Sequence, residues 1–152
     1  MPGLSNIIEE FIKELFKEAE EGIVEIQRNE LAAYFDCAPS QINYVLTTRF
    51  TPYKGYYIES RRGGGGYIKI EKVSIKEDEN IKSLIIDTIG DSITKYKSYN
   101  VIEGLVDEDV ITKREGEIIK VVLGDSALAS VTSERNKLRA DILKNLLLVF
   151  VE

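Results

Sequence analysis

The sequence predicts an α+β chain whose N-terminal part mixes helices and strands and whose C-terminal part contains only helices. Apolar residues recur at helical spacing in residues 6–50 and again in residues 79–150, and two β-prone runs flank the four consecutive glycines at 63–66. A helix, two helices joined by a tight turn and a hairpin, in this order, are typical of a winged helix-turn-helix. We therefore assign this fold to residues 1–73 and a small helical bundle to residues 79–152.

The first predicted helix spans residues 6–19. Asn6 and Glu9, three residues apart, resemble a capping pair at its start. After the helix, the run Gly22–Ile26 is β-prone and predicts either a brief strand or an extended lead-in to the next helix. The apolar face of the helix consists of Ile8, Phe11, Ile12, Leu15 and Ala19.

Two short apolar stripes follow, one in residues 29–35 and one in a helix opened by Pro39, a residue favoured at the first helical position. Only Asp36-Cys37-Ala38 separates them, so the two helices must cross steeply, as in a helix-turn-helix. Cys37 is expected to be a small buried hydrophobe, because no neighbouring cation or histidine would lower the pKa of its thiol. The stripes consist of Leu31, Ala32 and Phe35, and of Ile42, Val45 and Leu46.

The glycines are expected at the tip of a β-hairpin, the wing, between the runs Tyr56–Arg61 and Tyr67–Val73. A phosphate-binding P-loop would need Lys and Ser or Thr after the last glycine and then a helix, whereas Gly66 is followed by Tyr67 and a strand. The dinucleotide fingerprint would need a glycine where Ile68 stands. Both nucleotide-binding motifs are therefore excluded by spacing.

The C-terminal part is predicted to hold four helices after the polar linker Ser74–Asp78. They are more apolar than one such bundle can bury, which predicts a homodimer; the alternative is a self-contained monomeric bundle. Their apolar residues are Ile81, Leu84, Ile85 and Ile89, then Tyr96, Tyr99, Val101, Ile102, Leu105 and Val106, then Ile118, Ile119, Val122 and Leu123, and finally Leu138, Ile142, Leu143, Leu146 and Leu147.

Local signals suggest where these helices begin and end. The second is expected from about Ser92 to Val110, and Thr112 with Glu115 forms a capping box for the third. Either Thr132 or Ser133 is expected to open the last helix.

Composition argues against an enzyme. The chain has no histidine and one cysteine, which removes the commonest general base and the usual ligands of a structural zinc site. We expect no catalytic residue, no metal and no cofactor. No apolar run reaches the length of a membrane span and the N-terminus lacks a signal peptide, so we expect a cytoplasmic protein with no membrane partner.

The charge distribution favours a nucleic-acid partner despite a net charge of −6. Residues 39–70 hold five cations and one acidic residue, Glu59, whereas residues 1–25 are acidic. We expect the helix opened by Pro39 to enter the DNA major groove and the arginine-glycine tip to enter the minor groove. The predicted DNA-contacting residues are Ser40, Gln41, Asn43, Tyr44 and Thr47 on the helix, Arg49 and Lys54 on phosphates, and Arg61, Arg62, Gly63, Gly64, Gly65 and Gly66 in the wing.

Each of these features by itself is compatible with a solvated surface and a loose loop, but their agreement in one segment favours DNA binding. The competing hypothesis is a winged-helix module or adaptor that binds proteins and has no specific DNA site. Such a module has no need of a basic segment within an acidic chain.

The segments APSQINYVLTTRFT (38–51), GYYIESRRGGGGYIKI (55–70) and ITKREGEII (111–119) resemble the CtsR family, repressors of class III stress genes in low-GC Gram-positive bacteria. The resemblance spans essentially the whole chain. It implies a dimeric transcriptional repressor that binds a tandemly repeated operator in double-stranded DNA and controls heat-shock genes, including those of the Clp protease and chaperones.

The resemblance also implies how such a repressor is released. It implies a wing that loosens on heating, and phosphorylation of a wing arginine by the protein arginine kinase McsB, which leads the repressor to the Clp protease. Arg62, directly before Gly63, matches that arginine. Arg61 stands where many members have Lys, so the roles of the two arginines remain unseparated.

Overall fold

The computed structural model describes residues 3–61 and 66–150 and divides them into two compact units. The first unit runs to Thr51 and continues over Gly55–Val73. The second contains the 3₁₀ turn Pro52–Lys54 and resumes at Ser74. The place of this turn in the second unit was not predicted from the sequence, and the proposed boundary near residue 73 remains a prediction.

The first unit is a winged helix-turn-helix, as predicted. Its three strands form one antiparallel sheet in the order β1-β3-β2, and the two helices of the motif precede the hairpin. Its elements are α1 (Leu4–Glu18), β1 (Ile23–Gln27), α2 (Arg28–Tyr34), α3 (Pro39–Arg49), β2 (Tyr56–Arg61) and β3 (Tyr67–Lys72).

The core of this unit lies between the three helices and one face of the sheet. Ile68 and Ile70 of β3 are completely buried, whereas Lys69 between them is not, which is the alternation expected of a strand with one buried face. Phe50, just after α3, packs edge-on against Tyr56 of β2 with 5.0 Å between ring centroids. The other principal core residues are Ile8, Ile12, Ile42, Val45 and Leu46.

The predicted capping pair of α1 is wrong. The N-cap residue is Gly3, with no side-chain cap, and α1 begins two residues earlier than predicted. The Asn6 amide oxygen accepts a hydrogen bond from Arg49, and Glu9 binds Lys13 and Arg49. Arg49 of α3 therefore binds both side chains that the local pattern assigned to a cap.

The run after α1 is a true strand. β1 pairs antiparallel with β3, with Ile26 opposite Ile68 and Gln27 opposite Tyr67. This pairing gives the hairpin a third strand and brings the start of α2 next to the wing.

The second unit contains the four predicted helices, α4 (Glu79–Ile89), α5 (Lys95–Asp107), α6 (Lys113–Leu123) and α7 (Arg135–Phe150). The segment before α4 is more than a polar linker, because Ile75 is fully buried and the Asp78 carboxylate accepts hydrogen bonds from the amides of Asn80 and Ile81. The turn Pro52–Lys54 packs on α4 and α5. A Cβ atom at Gly104 would lie 2.7 Å from the Tyr53 ring, so this contact needs glycine.

The helix ends in this unit were predicted with mixed success. The capping box is confirmed, since the Thr112 amide donates to the Glu115 carboxylate (2.7 Å) and the Glu115 amide donates to the Thr112 hydroxyl (3.0 Å). Helix α5 is shorter than predicted, because Thr94 is its N-cap residue and the helix ends at Asp107. The predicted start of the last helix is also wrong: Glu134 has φ +60°, so the helix begins only after it.

Not all residues assigned to the apolar pattern are buried. Tyr96 of α5 is 76% exposed, and Ile118 and Val122 of α6 lie at the surface. Within residues 3–61 and 66–150, no helix is long and apolar enough to cross a membrane.

Candidate nucleic-acid interface

A tight turn sets the direction of α3. Asp36 adopts a left-handed conformation (φ +52°) and the Cys37 amide donates to the Ala32 carbonyl (2.9 Å), which ends α2 abruptly. Ala38 is then extended and Pro39 opens α3 at its first turn. Cys37 packs against the core as expected, but it is only partly buried.

Helix α3 has an apolar side in the core and a polar side at the surface. Ile42, Val45 and Leu46 are buried against α1 and α2. The predicted base-contacting residues are all exposed, and three of them share an open depression of about 430 Å³ with Ser5 of α1. Those three are Ser40, Gln41 and Tyr44, and the other two exposed residues are Asn43 and Thr47.

The exposed residues differ in how free their polar groups are. The Thr47 hydroxyl donates to the Asn43 carbonyl at 3.0 Å, so its proton is used within the helix. Thr47 therefore presents a methyl group and acceptor lone pairs. Tyr44, by contrast, is 56% exposed and extends its ring from the middle of the helix.

Arg49 is paired within the first unit. Its Nη1 donates to Glu9 Oε1 at 2.7 Å and to Asn6 Oδ1 at 2.9 Å, while Glu9 Oε2 binds Lys13 at 2.8 Å. Burial opposes ionisation of Glu9, but the hydrogen bonds from Lys13 and Arg49 outweigh it and hold the pKa of that carboxyl below its ordinary value. A phosphate contact by Arg49 remains a prediction, and it would have to compete with Glu9.

Lys54 lies on the 3₁₀ turn that belongs to the second unit, and it is half-buried. Its proposed phosphate contact also remains a prediction.

The base of the wing holds a cation, Arg28, that was not among the predicted site residues. Gly66 has φ +83°, and its carbonyl accepts a hydrogen bond from the Arg28 amide (2.8 Å). A Cβ atom at Gly66 would lie 3.0 Å from Arg28 Cβ and 3.2 Å from Nη1, so the Arg28 side chain lies directly against this glycine. Among the described residues the buried Nε of Arg28 has no partner. Only the β1–β3 pairing brings Arg28 here, and no local signal in the sequence predicts that pairing.

Arg61 is exposed at the end of β2. It faces Tyr67 across the hairpin, with its guanidinium carbon 5.3 Å from the ring centroid, a cation–π contact. A hydrogen bond to the Glu25 carboxylate raises the pKa of the Tyr67 phenol. Tyr67 therefore contacts Arg61 through its ring and Glu25 through its hydroxyl. Arg28 and Arg61 thus both lie where the described part of the wing ends. The remaining predicted wing residues, Arg62, Gly63, Gly64 and Gly65, lie outside the described residues.

The side chains of this surface are polar or positively charged. Residues 3–61 and 66–150 contain no group of histidine, cysteine or carboxylate side chains that would hold a metal ion. The surface combines a polar helix face with arginines at the hairpin.

Comparison with known proteins decides which family has this surface. The model of the CtsR N-terminal HTH domain matches residues 3–74, and that of the CtsR C-terminal dimerization domain matches residues 77–148. The chain belongs to the CtsR family. It is 47% identical to the transcriptional regulator CtsR of Staphylococcus epidermidis (strain ATCC 12228 / FDA PCI 1200) and 46% identical to that of Staphylococcus haemolyticus (strain JCSC1435). Each alignment covers 97% of this chain and 96% of the relative.

A solved CtsR structure shares the fold. A crystal structure of CtsR in complex with a 26-base-pair DNA duplex has a TM-score of 0.80 and 41% identity, covering 99% of both chains. The predicted resemblance to CtsR and the predicted fold class are therefore confirmed. CtsR proteins are transcriptional regulators, so the expectation that this chain is not an enzyme is also confirmed.

Proposed function

We propose that this chain is a homodimeric, sequence-specific repressor that binds double-stranded operator DNA. The main support is the geometry of α3, which buries Ile42, Val45 and Leu46 and leaves five hydrogen-bonding side chains exposed. The crystallised relative with DNA has the same fold over the whole chain.

Helix α3 is proposed to lie in the major groove. The groove is about 12 Å wide and an α-helix with side chains is about 10–12 Å across, so the exposed face fits base edges. Gln41 and Asn43 have the side-chain amides that bind adenine bidentately. The Thr47 methyl group is suited to a thymine methyl, because its hydroxyl proton is used by the Asn43 carbonyl.

The wing is proposed to enter the adjacent minor groove. Its negative potential attracts arginine, and glycines without side chains allow close approach of the backbone. Arg61 and Arg62 supply the charge, and Arg28 adds a third cation at the base of the wing. The pairing of Arg61 with Tyr67 restricts its side chain, which favours Arg62 as the residue that goes deepest.

Dimerisation is proposed through the C-terminal unit, in agreement with the description of the matching family domain. Two copies of α3 would bind two half-sites, as the implied tandem operator requires, and the DNA affinity then depends on the dimer.

The regulatory role is a proposal supported by the family resemblance. We propose that the genes controlled are heat-shock genes, including those of the Clp protease and chaperones. We further propose that heat releases the repressor through its glycine-rich wing. Phosphorylation of Arg62 by the kinase McsB would replace a positive charge with a negative one facing DNA phosphates and lead to Clp proteolysis.

One experiment tests the DNA-reading surface. We expect Gln41→Ala and Asn43→Ala to lose about 1–3 kcal/mol on a specific stress-gene operator and little on random DNA. Lys54→Ala should weaken binding to both and reduce the salt slope by about one unit. Fluorescence anisotropy titrations at several salt concentrations measure both quantities.

Asn145→Ala, an exposed asparagine on α7, is the matched control and should bind both DNAs normally. If the wild-type chain binds operator and random DNA equally well, the proposal fails and a protein-binding winged helix becomes the better hypothesis. Equal losses on both DNAs for the α3 variants would place α3 outside the major groove.

A further inference from the structure

Helix α6 has an apolar stripe on its outer side. Gly116, Ile119 and Leu123 are buried, spaced three and four residues apart. On the opposite side Ile118, Val121 and Val122 are 55%, 71% and 41% exposed. These three neighbouring aliphatic side chains form a contiguous apolar patch at the surface.

The two ends of α6 differ in charge. The end where α6 begins is acidic, because five carboxylates outnumber Lys113 and Arg114 there, giving a net charge of −3. Those carboxylates are Asp107, Glu108 and Asp109 in the preceding segment and Glu115 and Glu117 in the helix.

The end where α6 stops is basic. Lys95 and Lys120 both lie over the Tyr99 ring, at 5.9 and 5.5 Å from its centroid, and the Tyr99 hydroxyl donates to the Lys120 carbonyl (2.8 Å). Asp125, directly after the helix, binds Arg139 at 2.6 Å and also faces Lys95 and Arg135. The Lys95 charge, opposed by desolvation and aided by the Arg139 hydrogen bond, holds the pKa of the Asp125 carboxyl below its ordinary value. Glu103 pairs with Lys120, so this end has two carboxylates, Asp125 and Glu103, and a net charge of +2. Its four cations are Lys95, Lys120, Arg135 and Arg139.

We propose that the outer side of α6 packs antiparallel against α6 of a second copy of this chain and forms the centre of the dimer. This inference rests on the proposed homodimer and adds the surface that forms it. In a two-fold symmetric contact the same patch meets itself. Antiparallel α6 helices bring the apolar stripes together and place each acidic end on the partner's basic end. Parallel helices would place like charges together.

Helix α6 is long enough for the charges at its two ends to favour the antiparallel over the parallel arrangement. Helix α6 has 11 residues and is therefore about 16 Å long. This length exceeds the Debye length of about 8 Å at physiological salt, so the two ends act as separate charges. Three side chains are less than a standard interface, so the stripe is the central contact and the charged ends form its rim.

The first test compares two substitutions of the same type. Val121 on α6 and Val149 on α7 are equally exposed, at 71% and 70%. In sedimentation equilibrium of the full chain, Val121→Glu should raise the dimer dissociation constant by at least about a hundredfold, because it buries two unpaired carboxylates beside the symmetry axis. Val149→Glu should leave it within a few-fold of the wild-type value. An intact Val121→Glu dimer, or equal dissociation of both variants, overturns the inference.

The second test uses disulfides and does not depend on weakening the dimer. In a Cys37→Ser background, Ile118→Cys, Val121→Cys and Arg114→Cys are each oxidised and the fraction of covalent dimer is measured. In an antiparallel pair with its axis near the stripe, at least one of the two central positions forms the disulfide. Arg114 and its counterpart stay at least about 12 Å apart along the helix, beyond disulfide reach.

Covalent dimer through Arg114→Cys, or none at either central position, overturns the inference. These outcomes are distinct from failure of the proposed function. A wild-type chain that is monomeric at all concentrations contradicts the homodimer itself, whereas a dimer that binds operator but fails these tests contradicts only the α6 surface.

Discussion

Arg49 has two possible partners, Glu9 and a DNA phosphate, and Glu9→Gln separates them. In the structure Arg49 Nη1 lies 2.7 Å from Glu9 Oε1, and the Glu9 side chain is only 14% exposed. The substitution keeps the shape and one hydrogen-bond acceptor but removes the charge. We expect the variant to be less stable and yet to bind DNA more tightly.

The magnitudes follow from the burial. Exposed ion pairs contribute about 0–1 kcal/mol, and hydrogen bonds to charged groups about 1.5–3 kcal/mol. Glu9 lies between these cases and its neutral replacement still accepts one bond, so the free energy of unfolding should fall by about 1–2 kcal/mol. On DNA, release of Arg49 from a competing carboxylate should gain about 1 kcal/mol, or roughly fivefold in affinity. The salt slope should rise by about 0.9 if one more phosphate is neutralised.

The pH dependence provides an independent check. Because the folded state lowers the pKa of Glu9, its contribution to stability is complete above the ordinary value of 4.5 and is lost as the pH falls through the lowered value. The difference in unfolding free energy between wild type and Glu9→Gln should therefore be constant near neutral pH and shrink below about pH 4.5.

Urea denaturation from pH 3 to 7 and anisotropy titrations on operator and random DNA measure these effects. Glu10→Gln makes the same charge change on the exposed side of α1, so it controls for net charge alone. An unchanged or lower DNA affinity of Glu9→Gln, together with the loss of stability, would refute the phosphate role and make Arg49 a structural partner of α1.

Three further predictions concern the wing. Gly66→Ala should reduce operator affinity by about tenfold, because φ +83° costs a residue with a Cβ atom about 1–2 kcal/mol and because that atom would crowd Arg28. The loss should be smaller in an Arg28→Ala background, which a double-mutant cycle measured by fluorescence anisotropy would show. Arg62→Ala should abolish operator binding while sedimentation still shows the dimer; near-wild-type affinity at physiological salt would contradict this. Gly64→Pro should shift or remove the loss of DNA binding between about 25 and 50 °C without a comparable fall in the global unfolding temperature, measured by circular dichroism. If binding is lost only in step with unfolding of the whole chain, the wing is not the heat-sensitive element.

The sequence by itself determined the elements and their order. Periodic apolar residues predicted α3 and α6, and alternation predicted β3, because each pattern matches the period of one regular structure. The capping box at Thr112 was also predicted correctly, since both of its hydrogen bonds join residues three apart. The polar face of α3 was predictable because Pro39 fixes where the helix begins, and therefore which residues face outward.

Only the tertiary structure decided what depends on residues far apart in the chain. Asn6 and Glu9 have the spacing of a cap, but Arg49, 40 residues beyond Glu9, pairs with both. Arg28 reaches the wing through the pairing of β1 with β3. For Asn6 and Glu9, local propensity is worth a fraction of a kcal/mol to about 1 kcal/mol, and the charge-assisted contacts with Arg49 outweigh it. For Arg28, the pairing of Gln27 with Tyr67 joins distant parts of the chain, which no local pattern encodes.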